Sequence, residues 1–144
     1  MKHRRTATVQ RILGFLIASS SLMMLPPALV SWWYHDGTAE LFLISAIVLF
    51  IIGMAVFLPV RHVREELRLR DGFLIVVVCW VSLALVGALP FLLLMQPEIS
   101  YVDAMFESMS GLTTTGATIL TNIDELPRGL LYYRQQLQWL GGLG

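Results

Sequence analysis

Charge is what this sequence has least of: across 144 residues, Asp, Glu, Lys and Arg together make up only 14%. Soluble domains of similar size carry about 25%, so an ordinary soluble domain is excluded at the outset. Ten basic and ten acidic residues cancel, and the basic ones bunch at the ends of apolar runs, which leaves no basic face for nucleic acid. Cysteine is nearly absent. Cys79 stands alone inside an apolar run, which excludes a disulfide framework and a thiolate metal site and makes it a packing residue. His3, His35 and His62 are too scattered for a metal cluster. There is no Ser/His/Asp set and no phosphate-cradling glycine motif, so neither an enzyme nor a covalently bound cofactor is indicated. What the chain does have is apolar surface, 56% of its residues with a mean hydropathy of +0.71, and the membrane class follows.

Three apolar runs are long enough to cross a hydrocarbon core of about 30 Å. The first, Ile12 to Tyr34, is uncharged and contains Pro26-Pro27, where two missing amide donors predict a kink or break. Its start, basic residues and then Ala18-Ser19-Ser20-Ser21, also fits a secretory signal with a small-residue cleavage site. The apolar run continues past those serines to the interfacial cluster Trp32-Trp33-Tyr34, which favours a span. The second run, Leu41 to Val60, follows the short turn His35-Asp36-Gly37-Thr38 and completes a helical hairpin. A charged connection covers residues 61–71, with Arg61/Glu65 and Glu66/Arg70 spaced four apart as in a short surface helix. The third run extends from Phe73 to Met95.

Lys2, Arg4, Arg5 and Arg11 precede the first run, and Arg61, Arg64, Arg68 and Arg70 lie between the second and third. The other side has only Arg128 and Arg134. The positive-inside bias therefore places the N-terminus and the 61–72 connection in the cytoplasm.

The segment after Met95 is too short and polar to cross. Pro97 stops the preceding helix, and Ser100-Tyr101-Val102-Asp103 has the S-x-x-D form of a helix start. A helix from Tyr101 to Leu112 would be about 18 Å long, roughly half a bilayer core. Its C-terminal end then carries the negative end of the helix dipole to mid-depth. Gly111-Leu112-Thr113-Thr114-Thr115-Gly116-Ala117-Thr118 follows. Non-helical backbone at that depth is tolerated only in protein or along a watery cavity. Hydroxyl and carbonyl oxygens without a carboxylate suit a monovalent cation better than calcium or magnesium. Alone, the threonine-glycine run is also compatible with a polar loop. Asp103 reads as a helix-start acid. Glu107 reads either as a source of negative potential or as an acceptor for nearby amides. Arg134 reads as an interface residue that snorkels, with Glu107 or Asp124/Glu125 as alternative partners.

A span, a capped half-length helix, a threonine-glycine strand and a further helix form one helix-pore-helix repeat. FESMSGLTTTGAT followed by LPRGLLYYRQQLQWLGGLG, preceded by RDGFLIVVVCW and VGALPF, closely resembles the first pore repeat of the bacterial Trk-type potassium uptake proteins, the TrkH/TrkG family. The resemblance implies an all-α membrane protein. Residues 1–72 would form an N-terminal two-helix domain with a cytoplasmic linker, and residues 73–144 a first helix-pore loop-helix repeat with an incomplete last helix. It further implies potassium coordination at Thr114 and Thr115, Gly116 as the filter glycine, and Thr113 and Ala117 flanking them. Thr118 stands where potassium channels have a second glycine, which implies weaker selectivity against sodium. Other implications are potassium as the transported ion, a bacterial inner-membrane location, a homodimer of full-length subunits and a cytosolic TrkA-like nucleotide-binding regulatory subunit. Family members carry four repeats and this sequence one, so it is expected to be a fragment contributing a quarter of a filter. A non-transporting membrane remnant is the alternative.

Overall fold

The computed structural model describes residues 2–62, 69–94 and 98–143. Among the described residues every regular element is a helix, the α-helices being α1 (Lys2–Ser20), α2 (Leu25–Tyr34), α3 (Ala39–Phe57), α4 (Leu69–Leu92), α5 (Tyr101–Leu112) and α6 (Arg128–Leu143). Three stretches are long and apolar enough to cross a membrane: Thr6–Tyr34, Ala39–Val60 and Gly72–Leu92. They coincide with the three runs read from the sequence. The surface helix expected within residues 61–71 falls largely on residues 63–68, and the exit at Met95 and the stop at Pro97 on residues 95–97. Both lie outside the described residues.

The expected break in the first span lies one turn ahead of the prolines. Ser21–Met24 winds into a 3-10 turn between α1 and α2, and the proline pair occupies the first turn of α2. Proline cannot donate to the carbonyl four residues earlier, so Pro26 and Pro27 release the carbonyls of Leu22 and Met23. That of Met23 is taken over by Gln136 Nε2 of α6, at 2.9 Å. The hydroxyls of Ser19, Ser20 and Ser21 each donate to the carbonyl three residues back, at 2.9, 2.6 and 2.6 Å. These pairings satisfy the three hydroxyls and the freed Met23 carbonyl without water.

Small residues set the helix spacing. A β-carbon on Gly14 would lie 2.6 Å from the Phe57 amide nitrogen, and one on Gly53 would strike the Ala18 backbone. Gly14 and Ala18 stand four apart on one face of α1, the small-xxx-small pattern that lets membrane helices approach backbone to backbone. α4 and α5 meet the same way, with Gly87 against Ser108 and the Ser108 hydroxyl donating to the Ala84 carbonyl at 2.8 Å.

At the centre of the bundle Tyr133, 1% exposed, packs its ring between Phe42 of α3 and Phe91 of α4, with centroids 5.5 Å away in each case. Its hydroxyl donates to the Gly87 carbonyl at 2.9 Å, so the ring is buried with its polar tip satisfied. Large apolar side chains cover the outside, including Ile44, Ile47 and Ile51 on α3 and Phe73, Val77 and Val81 on α4. In water such patches would drive aggregation; in lipid they carry no such penalty.

The N-terminus of α6 is fixed by the turn after α2. Asp36 Oδ2 accepts from the Gly129 amide at 2.7 Å. Asp36 Oδ1 accepts from the Thr38 amide at 3.0 Å, the Thr38 hydroxyl at 2.8 Å and the Ser31 hydroxyl. Burial by itself raises the carboxyl's pKa; the hydrogen bonds from Gly129, Ser31 and Thr38 together outweigh it and hold Asp36 below the ordinary 3.8. A β-carbon on Gly129 would sit 2.8 Å from Ser31 Cβ, so the close approach that makes this cap possible requires glycine.

Candidate pore segment

α5 begins and ends where the sequence places it. The Ser100 hydroxyl accepts from the Asp103 amide at 3.2 Å, and Asp103 stands in the first turn, where its charge suits the positive end of the dipole. Twelve residues later the helix gives out at Leu112.

The chain then turns through two left-handed residues. Thr114 has φ 57° and Gly116 φ 72°. Glycine accepts this freely, whereas a β-branched threonine does so at a cost of about 1–2 kcal/mol. The turn is held by α5. The Thr113 amide donates to the Met109 carbonyl and the Thr114 amide to that of Gly111, both at 2.9 Å, and the Thr115 amide to that of Ser110 at 3.0 Å. The Thr113 hydroxyl donates to the Met109 carbonyl at 2.8 Å, and the hydroxyls of Thr113 and Thr115 are 2.8 Å apart. With the Thr113 proton committed to Met109, Thr115 is the donor of that pair. Its oxygen lone pairs are thereby left for another ligand.

One side of Thr113–Ala117 is exposed and the other is braced. Ser110 donates its hydroxyl to the Ala117 carbonyl at 2.6 Å, so this carbonyl is tied back to α5 while the chain through Thr113, Thr114, Thr115 and Gly116 faces outward. Just beyond the turn, Glu107 Oε1 accepts from the Thr118 hydroxyl at 2.6 Å and the Ile119 amide at 2.8 Å. Glu107 Oε2 meets Arg134 Nε at 3.2 Å, with side chains 1% and 11% exposed respectively. The snorkelling expected of Arg134 is therefore corrected. A carboxylate this deeply buried needs a countercharge, and α6 supplies it. Of the two readings of Glu107, the amide acceptor is realised.

α6 forms the back wall. A β-carbon on Gly141 would collide with the Leu112 carbonyl, and one on Gly111 would lie 2.9 Å from Leu137 Cβ. Gly141 is thus a contact point for the end of α5, where the sequence alone shows only a helix running out in glycines. Ser110 and Asp36 were not singled out from sequence as functional positions; serine inside a short helix and aspartate in a turn are too common to signal their tertiary partners.

Residues 39–144 match the family described as TrkH, cation transport protein. The chain belongs to this family. The Trk system potassium uptake protein TrkH of Halomonas elongata is 52% identical over 136 residues, covering 94% of this chain and 28% of the relative. TrkG of Escherichia coli strain K12 is 38% identical over 144 residues, covering 100% and 30%. The crystal structure of the potassium transporter TrkH from Vibrio parahaemolyticus superimposes with a TM-score of 0.91 at 49% identity, again covering 100% of this chain and 30% of that one. The all-helical membrane fold expected from sequence is therefore that of a solved relative. This chain spans about three tenths of the length of the relatives it matches.

Proposed function

We propose that this chain contributes one quarter of the selectivity filter of a Trk-type potassium uptake system. Thr113, Thr114, Thr115, Gly116 and Ala117 form its share of the filter, and potassium is coordinated at Thr114 and Thr115. The observation that carries this reading is a capped half-length helix ending in a threonine-glycine turn, exposed on one side and braced on the other.

The chemistry is substitution of solvent. Carbonyl and hydroxyl oxygens replace part of a cation's water shell, and the negative end of the α5 dipole lowers the cost of holding the ion inside lipid. Transport of this kind requires no covalent step and no bound cofactor. Residues 1–72 act as the supporting two-helix unit and residues 73–144 as the pore repeat, with the N-terminus cytoplasmic in a bacterial inner membrane. In this reading the working system is a homodimer of full-length subunits, regulated by a cytosolic TrkA-like nucleotide-binding partner.

The test is a chimera. This chain replaces the matching 136 residues of the Halomonas elongata relative and is expressed in a strain deficient in potassium uptake. Restored growth at low potassium is the expected result. A chimera that inserts normally yet fails to restore uptake would favour the non-transporting remnant, and uptake that no substitution in Thr113–Ala117 modifies would overturn the filter assignment.

A further inference from the structure

Behind the turn lies a small polar cavity that the filter reading does not use. It is lined by Glu107, Ser110, Gly111, Ala117, Arg134 and Gln138, with a volume of about 10 Å³, room for one water molecule. Its walls come from α5 and α6, on the braced side of the turn. Glu107 and Ser110 project from α5; Arg134 and Gln138 stand one turn apart on the same face of α6. The position a β-carbon would take on Gly116 is 3.5 Å from Gln138 Nε2, so this amide sits directly against the filter backbone.

The hydrogen-bond inventory around this cavity leaves sites that one water would fill. An ionised carboxylate has about four acceptor sites, and Glu107 uses three, for Thr118, Ile119 and Arg134. Ser110 spends its proton on Ala117 and keeps its lone pairs. Gln138 is half-buried and has two amide donors to offer. A water there would accept from Gln138 and donate to Glu107 or Ser110, within the two to four partners a buried water needs.

We propose that Gln138 is a positioning residue of the filter strand, holding with Arg134 a single water molecule against Glu107, Ser110 and Ala117. The inference rests on the filter reading above. Held this way, the backbone at Gly116 and Ala117 resists moving toward the ion. A smaller cation, which needs shorter contacts, then gains less from the site than potassium does.

The test uses the uptake-competent chimera and reads the ratio of potassium to sodium uptake. Gln138→Met keeps the length and removes the donors; it is expected to lower the ratio by about twofold to tenfold, the worth of one hydrogen bond. Gln138→His restores a ring N–H and is expected to recover part of that loss. A role in shape alone predicts the reverse order, with Met neutral and His disruptive, and that order overturns the proposal. Gly116→Ser is the control for the filter reading. If it changes the ratio while Gln138→Met does not, the positioning role fails by itself; if neither changes it, the filter assignment fails. A map of this region that resolves ordered solvent is expected to show one oxygen between Gln138 and Glu107, and its absence there also overturns the proposal.

Discussion

Removing the Arg134 guanidinium tests how the turn after α5 is supported. The Glu107 and Arg134 side chains are 1% and 11% exposed, and their closest atoms are 3.2 Å apart. Water therefore screens the pair poorly. Arg134→Met leaves a buried carboxylate with only the Thr118 hydroxyl and Ile119 amide as partners, a situation that costs about 3–5 kcal/mol. The two remaining donors soften the loss, so the lower end is expected. Glu107→Gln combined with Arg134→Met removes both charges, and the new amide carbonyl still accepts from Thr118 and Ile119. The double variant is expected within about 1 kcal/mol of the starting protein, with a coupling of about 2 kcal/mol or more. Equilibrium unfolding in mixed micelles, followed by tryptophan fluorescence, measures all four corners of this cycle. An Arg134→Met cost below about 1 kcal/mol, the worth of an exposed pair, or a double variant no more stable than the single, would refute the argument that burial makes this pair decisive.

Three further outcomes follow from the same geometry. Gly141→Ala forces a β-carbon into the Leu112 carbonyl, whereas at Gly142 the nearest neighbour is Thr114 Cγ2 at 3.8 Å. The first is expected to destabilise by about 1–3 kcal/mol and reduce membrane accumulation; Gly142→Ala should accumulate normally, as immunoblotting of membrane fractions would show. Asp36→Ala removes the cap of α6 and is expected to cost about 0.5–2 kcal/mol in the same micelle assay. Because the folded carboxyl of Asp36 is held below 3.8, its contribution is full above the unfolded value and is lost as pH falls through the lower folded value. The difference between wild type and Asp36→Ala should therefore shrink only below about pH 4. Tyr133→Phe keeps the ring between Phe42 and Phe91 but leaves the Gly87 carbonyl without its partner; a loss of about 1 kcal/mol is expected, and an unchanged midpoint would show that the hydroxyl contributes nothing.

Local chemistry made much of this protein legible in its sequence. Uncharged runs of bilayer length marked the three spans, because lipid tolerates no unpaired polar backbone. Ser100 and Asp103 marked the start of α5, because helix amides need a nearby acceptor. The left-handed conformation at Thr114 was not readable from sequence, because threonine adopts it only when its surroundings impose it. The proline pair announced a break but placed it on the prolines. The irregular turn lies just before them, where the freed carbonyls are.

The sequence by itself determined the class, the spans and the half-length helix, since each depends on neighbours along the chain. Only the tertiary structure decided that Arg134 meets Glu107 rather than the interface, that Asp36 caps α6 across 93 residues, and that Gln136 takes the carbonyl released by Pro27. These pairings join residues far apart in sequence. Which donor reaches which acceptor is set by where the glycines let the helices meet, and that geometry is fixed by packing the whole bundle at once.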